Sequence, residues 1–144
     1  MKLTQEQKLE MTDKIWSITV QCYRGVELPT REKIERIVRQ GDVFVEEWYR
    51  EVVSYVIVSP DYNPPLIRSV ATLPSARGQG LATRLMWEVE RYYRSVNAPA
   101  LVLHVRPENP AQKMYFDCGY RVTKYLKGYY APEGDGLEME LKLL

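Results

Sequence analysis

Between Thr4 and about Tyr23, Leu9, Ile15, Trp16, Ile18, Thr19 and Cys22 recur mostly at three- and four-residue steps. That is the spacing of one face of an α-helix, and Gly25 follows its end. A second helix is predicted from Thr30, whose side chain can cap the first turn, with Ile34, Ile37 and Val38 as its apolar stripe and Gly41 as its close. The period then changes. Val43-Phe44-Val45 and Val52-Val53-Ser54-Tyr55-Val56-Ile57-Val58 are β-branched and aromatic runs separated by charged residues, the pattern of a hairpin. A loop rich in turn formers, Ser59 to Pro65, leads to a third strand from Leu66 to about Leu73, stopped by Pro74. Leu81, Leu85, Val89, Tyr92 and Val96 mark a long helix. Ala100 to Val105 is an apolar run without alternation, which predicts a central strand covered on both faces. Ala111, Met114, Tyr115 and Cys118 form one more helical face, closed by Gly119, and strands around Tyr120 to Lys127 and Leu137 to Leu143 flank a Tyr/Gly/Asp-rich turn.

The alternation of strands and helices in the second half predicts a mixed sheet with helices packed on it, an α+β or α/β layered fold. With 144 residues the chain suits one domain spanning 1–144. Twenty Lys and Arg against nineteen Asp and Glu leave a net charge of +1, so nothing draws the chain in bulk to nucleic acid or to an acidic membrane surface. No apolar run approaches the roughly 20 residues needed to cross a bilayer. The polar start, Met1 to Glu6, lacks the apolar core of a secretory signal. Two cysteines exclude a disulfide framework, and a single histidine argues against zinc or another bound metal. The expectation is a reduced, cytoplasmic domain.

Candidate chemistry starts at Arg77-Gly78-Gln79-Gly80-Leu81-Ala82, between a strand and an apolar-striped helix. Glycines remove side chains and let successive amides face a ligand, and the helix N-terminus adds partial positive charge, so the turn suits phosphate oxygens. A dinucleotide fingerprint would need its third glycine at Thr83, and no Gly-Lys-Ser/Thr follows for a Walker loop. A plain tight turn remains the alternative.

Thr72-x-Pro74-x-x-Arg77-Gly78-x-Gly80-Leu81-Ala82 resembles the Arg/Gln-x-x-Gly-x-Gly/Ala signature of the GCN5-related N-acetyltransferases, and Asn109-Pro110-Ala111 with Tyr115-x-x-x-Gly119-Tyr120 resembles that family's second motif. The resemblance covers roughly Leu66 to Leu143; the first half matches only in element order. It implies a mixed, mostly antiparallel sheet with a splayed strand pair and helices on both faces, here with the first strand apparently missing. It implies acetyl-CoA as co-substrate, its pyrophosphate on the amides from Gly78 through Gln79, Gly80, Leu81 and Ala82 to Thr83. Its pantetheine arm would run beside Val70-Ala71-Thr72 by main-chain pairing.

Acetyl transfer to an amine needs a base for the amine, a donor for the developing oxyanion and positioning of the thiolate leaving group. His104 suits the base by its ordinary pKa of about 6.5. In the protein N-terminal acetyltransferase subgroup this strand position carries a His or Glu base; a structural histidine is the alternative. Tyr115 matches the family's helix tyrosine, the general acid, although it also falls on an apolar face. Asn109 matches the motif's coenzyme-binding asparagine and doubles as a helix cap before Pro110. The interval to Tyr115 is one residue shorter than in the family, which sets Glu108 against Asn109 for that place. The strand Leu66 to Leu73 has no Glu where many relatives hold a water-relaying base.

Gly128-Tyr129-Tyr130 and the strand from Leu137 resemble the C-terminal end of ribosomal-protein alanine N-acetyltransferases, in which tyrosines clamp the substrate's N-terminal backbone. The resemblance therefore points to a protein or peptide α-amine as acceptor, with the enzyme a monomer or homodimer. Two alternatives stand: a small amine such as a polyamine or aminoglycoside, drawn by Glu46, Glu47 and Glu51, and a CoA-binding regulatory domain without turnover.

Overall fold

The computed structural model describes residues 1–132 and 134–144, and of Val26 the backbone alone. Glu133, in the final turn, lies outside the described residues. Helix α1 (Gln5–Cys22) opens on a reciprocal cap: the Thr4 hydroxyl accepts from the Gln7 amide, and the Gln7 side chain accepts from the Thr4 amide at 2.8 Å. Its buried row is Lys8, Ile15, Ile18 and Thr19, whereas Leu9 is 75% exposed and leaves the predicted stripe. Stepping back from Ile15 by four and seven residues reaches Met11 and Lys8, not Leu9. Lys8 tolerates burial because its ammonium donates to the carbonyl of Gly41 at 2.5 Å and of Arg39 at 3.2 Å, satisfying the end of α2 (Arg31–Gln40). Burial holds the Lys8 pKa below the usual lysine range.

The strands are β1 (Asp42–Trp48), β2 (Glu51–Ser59), β3 (Leu66–Thr72), β4 (Ala100–Val105), β5 (Arg121–Leu126) and β6 (Gly136–Lys142), ordered β1-β2-β3-β4-β6-β5 in one sheet. All neighbours are antiparallel except β3 and β4. In place of the first strand missing from the family pattern, residues 1–3 run along β1, with one bridge from Lys2 to Phe44. α1 and α2 cover one face, where Ile15, Ile18, Ile34, Ile37 and Tyr55 pack; α3 (Leu81–Ser95) and α4 (Ala111–Asp117) cover the other with Leu85, Met86, Val89 and Tyr115. On α3 the stripe includes Tyr93 rather than Val96, which caps the helix and is 52% exposed. β4 lies between both layers, all buried save His104, which is partly so. No helix among the described residues is long and apolar enough to cross a membrane.

Gly41 ends α2 as expected, but for another reason than a left-handed cap. Its backbone is extended (φ −101°, ψ −178°), and a Cβ there would stand 2.5 Å from the Val58 carbonyl oxygen and 2.6 Å from that of Ile37. Gly41→Ala should destabilise the fold by about 1–3 kcal/mol, read as a lowered midpoint in chemical denaturation with an unchanged slope.

Candidate active site

The register locates the opening in the sheet. β3 and β4 pair only at Leu66–Val102 and Ile67–Leu103. On its other edge β3 pairs Ile67 with Val58 and Ser69 with Ile57, so Arg68 is an extra residue, a bulge, at the point where pairing with β4 stops. Beyond it the strands diverge around a cleft of about 350 Å³, lined from β3 by Arg68, Ser69 and Val70, from β4 by His104 and Val105, and beyond them by Tyr115 and Tyr130.

The free edge of β3 has its own partners. The Tyr23 hydroxyl donates to the Val70 carbonyl at 2.8 Å. The Thr72 carbonyl accepts from Arg77 Nε at 3.0 Å and from the Cys22 thiol at 3.2 Å. Ala71 differs: it is buried, and its carbonyl accepts from Ser54 on β2 at 3.0 Å. Of the three residues expected to meet a pantetheine arm, Val70 and Thr72 therefore present carbonyls to the unpaired edge, while Ala71 does not. Behind them Thr19, Tyr55 and Ser69 form a buried hydroxyl chain, at 2.8 and 3.0 Å. Burial raises the Tyr23 pKa above the usual phenol range.

On the β4 side, His104 Nε2 is 3.2 Å from Glu138 Oε1 and Nδ1 is 3.0 Å from the Tyr129 hydroxyl. The Tyr129 and Tyr130 rings meet edge to face, and the Arg106 guanidinium lies 4.4 Å from the Tyr130 ring centre while its Nε is 2.7 Å from Glu27. Of the two sequence-predicted tyrosines, Tyr130 thus lines the cleft and Tyr129 sits on its histidine. Tyr115 is buried at 8% exposure, and its hydroxyl has no hydrogen-bond partner among the described residues. Burial, with the neighbouring phenols of Tyr23 and Tyr130, pushes its pKa well above the usual phenol range, so it stays protonated. Asn109 lines the cleft and its Oδ1 caps the Ala111 amide at 2.9 Å. Glu108 is exposed, near Arg106.

The glycine-rich turn forms an adjoining hollow of about 170 Å³, lined by Thr72, Arg77, Gly78, Gly80, Leu81, Ala82 and Thr83. Gln79 is exposed and is not part of that wall. Gly78 and Gly80 are left-handed (φ +81° and +74°), with no atom within 4 Å of a Cβ position, and α3 starts without any side-chain cap. Unclaimed amides at a helix start, approached over bare glycines, fit a diphosphate. Glu46 and Glu51, by contrast, are paired with Arg84 at 3.1 Å and Lys14 at 3.2 Å, and neither they nor Glu47 line the cleft.

Sequence reasoning gave no role to Tyr23, Arg106 or Glu138. Tyr23 read as the end of a helix, and only the chain's return along β3 puts it on Val70. Glu138 alternates with buried Leu137 and Met139 on β6, a period that fixes its face but not its neighbour on β4.

A splayed parallel pair beside a glycine-nest helix defines a class of acyl-transfer fold. The chain belongs to the acetyltransferase (GNAT) family, whose model matches residues 12–120. It is 36% identical over 98 residues to an uncharacterized N-acetyltransferase of Methanocaldococcus jannaschii, covering 67% of this chain and 63% of that protein. It is also 36% identical over 110 residues to the N-terminal acetyltransferase complex ARD1 subunit homolog of Dictyostelium discoideum, covering 72% of this chain and 54% of that one. The match thus spans less than two thirds of either relative. The crystal structure of the ribosomal-protein-S18-alanine N-acetyltransferase from Escherichia coli superposes with a TM-score of 0.85 at 16% identity, covering 99% of this chain and 94% of that one. A GNAT family acetyltransferase from Elizabethkingia anophelis with acetyl-CoA bound superposes at 0.75 and 16% identity, over 88% and 89%. These likenesses show the fold.

Because the cost at Gly80 is conformational rather than steric, Gly80→Ala should lower stability by about 1 kcal/mol, measurable by denaturant titration.

Proposed function

We propose that the protein is an acetyl-CoA-dependent N-acetyltransferase acting on the N-terminal α-amine of a protein or peptide, with residues 1–144 as one catalytic domain working in the cytoplasm as a monomer or homodimer. One observation carries the reading: the strand opening brings His104, the protonated Tyr115 and Tyr130 to a single cleft, with Tyr129 bonded to that histidine and the glycine-lined hollow two residues further along β3, from Val70 to Thr72. Family membership and the two N-terminal acetyltransferase likenesses support it.

Acetyl-CoA would supply an activated thioester. The amides of Gly78 and Gly80 to Thr83 would hold its diphosphate, with Arg77 at the rim, and the Val70 and Thr72 carbonyls would pair with its arm once Tyr23 gives way at the first and Arg77 or Cys22 at the second. Asn109, which lines the cleft, would contact the same ligand. His104 takes the proton lost by the amine. Tyr115 donates a hydrogen bond to the departing sulfur. Its raised pKa makes full loss of the proton uphill toward a thiol of pKa about 8.5, so the hydroxyl stabilises the leaving group without giving up its proton. Tyr129 and Tyr130 offer rigid walls with polar tips to an extended peptide. The acidic residues that suggested a small amine, Glu46, Glu47 and Glu51, lie outside the cleft.

Calorimetric titration with acetyl-CoA should register binding, and peptide arrays should outperform a panel of polyamines and aminoglycosides. Absence of binding would refute the reading; preference for the small amines would replace its acceptor. His104→Ala should lower kcat about 10- to 1000-fold with the affinity for acetyl-CoA retained.

A further inference from the structure

His104 lines the cleft, yet both of its ring nitrogens are engaged. An ionised carboxylate only accepts hydrogen bonds, so Nε2, 3.2 Å from Glu138, carries the ring proton. In the neutral ring Nδ1 is then the acceptor, and the Tyr129 hydroxyl, 3.0 Å away, donates to it. The other carboxylate oxygen of Glu138 is tethered as well, 3.3 Å from the Thr123 hydroxyl and 3.7 Å from Lys124 Nζ. Glu138 sits directly opposite His104 in the β4–β6 ladder, and the two side chains are only 18% and 21% exposed. Tyr129 is 50% exposed. With Nε2 held by Glu138, the ring is reached at Nδ1 through the hydroxyl of Tyr129, the most exposed of the three, whose oxygen keeps lone pairs to accept with.

We propose that Glu138, His104 and Tyr129 act as a proton relay, resting on the acetyl-transfer reading above. As the amine nitrogen bonds to the acetyl carbon, its N–H bond breaks and the proton passes to the Tyr129 oxygen. The phenol's own proton passes to His104 Nδ1. Tyr129 ends neutral and His104 ends as an imidazolium beside the Glu138 carboxylate. Tyr129 is the catalytic residue that touches the acceptor; Glu138 is a positioning residue that fixes the tautomer and balances the positive charge.

His104 is the chain's one histidine, so its ring ¹⁵N resonances can be read without assignment by mutation. In the unliganded protein, at a pH where the ring is neutral, the wild type should show the Nε2–H tautomer. Glu138→Gln, whose amide can donate to Nε2, should move the ring toward Nδ1–H and lower kcat about 10- to 100-fold. Tyr129→Phe should lower kcat about tenfold or more while the tautomer is kept. An Nδ1–H ring in the wild type overturns the proposal, as does a Glu138→Gln protein with unchanged tautomer and kcat. A Tyr129→Phe protein altered only in KM reduces Tyr129 to a clamp and overturns the relay. Failure of the acetyl-transfer reading looks different: an Nε2–H ring in a protein that turns over no amine, an outcome that removes the relay's function along with it.

Discussion

One inserted residue organises this molecule. Arg68 has no counterpart on β2, and the strand bends there, so that parallel pairing of β3 with β4 ends after two residue pairs. A sheet closed along its whole length would satisfy every backbone group of both strands; the bulge withholds that satisfaction from the Val70 and Thr72 carbonyls, which take bonds from Tyr23, Cys22 and Arg77 instead. The strands on either side are each held by a full antiparallel neighbour, β2 and β6, so the gap stays open without loss of rigidity. The side chains at its lip come from well-packed elements: His104 from the central strand, Tyr115 from a helix seated in the core.

Much of this was legible from residue order. β4 appears as Ala100–Val105, the bounds its unbroken apolar run suggested, and the turn at Gly78 and Gly80 is left-handed at both glycines. The errors share a cause. Leu9 looks like a stripe residue until Lys8 is seen to find two carbonyls at the end of α2, and a lysine so satisfied can take the buried position that its hydropathy denies it. Gly41 does stop α2, but its absent side chain also makes room for β2, whose approach no local pattern records. The bulge at Arg68 is a property of register between strands, and Glu138 reaches His104 only because β6 inserts between β4 and β5. Pairings of that range are set by topology, to which hydropathy periodicity is blind.

The electrostatics of the cleft divide its aromatic residues by role. Tyr23 and Tyr115 are phenols kept neutral by burial, useful as donors and poor as acids. Tyr129 is half exposed and hydrogen-bonded to a ring nitrogen of His104. Tyr130 is fixed by the Arg106 guanidinium on its face, with Glu27 from the α1–α2 connection holding that cation in turn. Cleft residues from three separate regions are thereby joined through one arginine.

The bond from Tyr23 to Val70 has a thermodynamic corollary. The phenol lies at the end of α1 and lines the cleft, while the carbonyl belongs to the free edge of β3. A carbonyl oxygen carries two lone pairs, so this one keeps capacity for a second donor beside the phenol. If a ligand along that edge took it at the phenol's expense, the bond that anchors the end of α1 would weaken, and by linkage whatever displaced Tyr23 would favour that ligand by the same free energy.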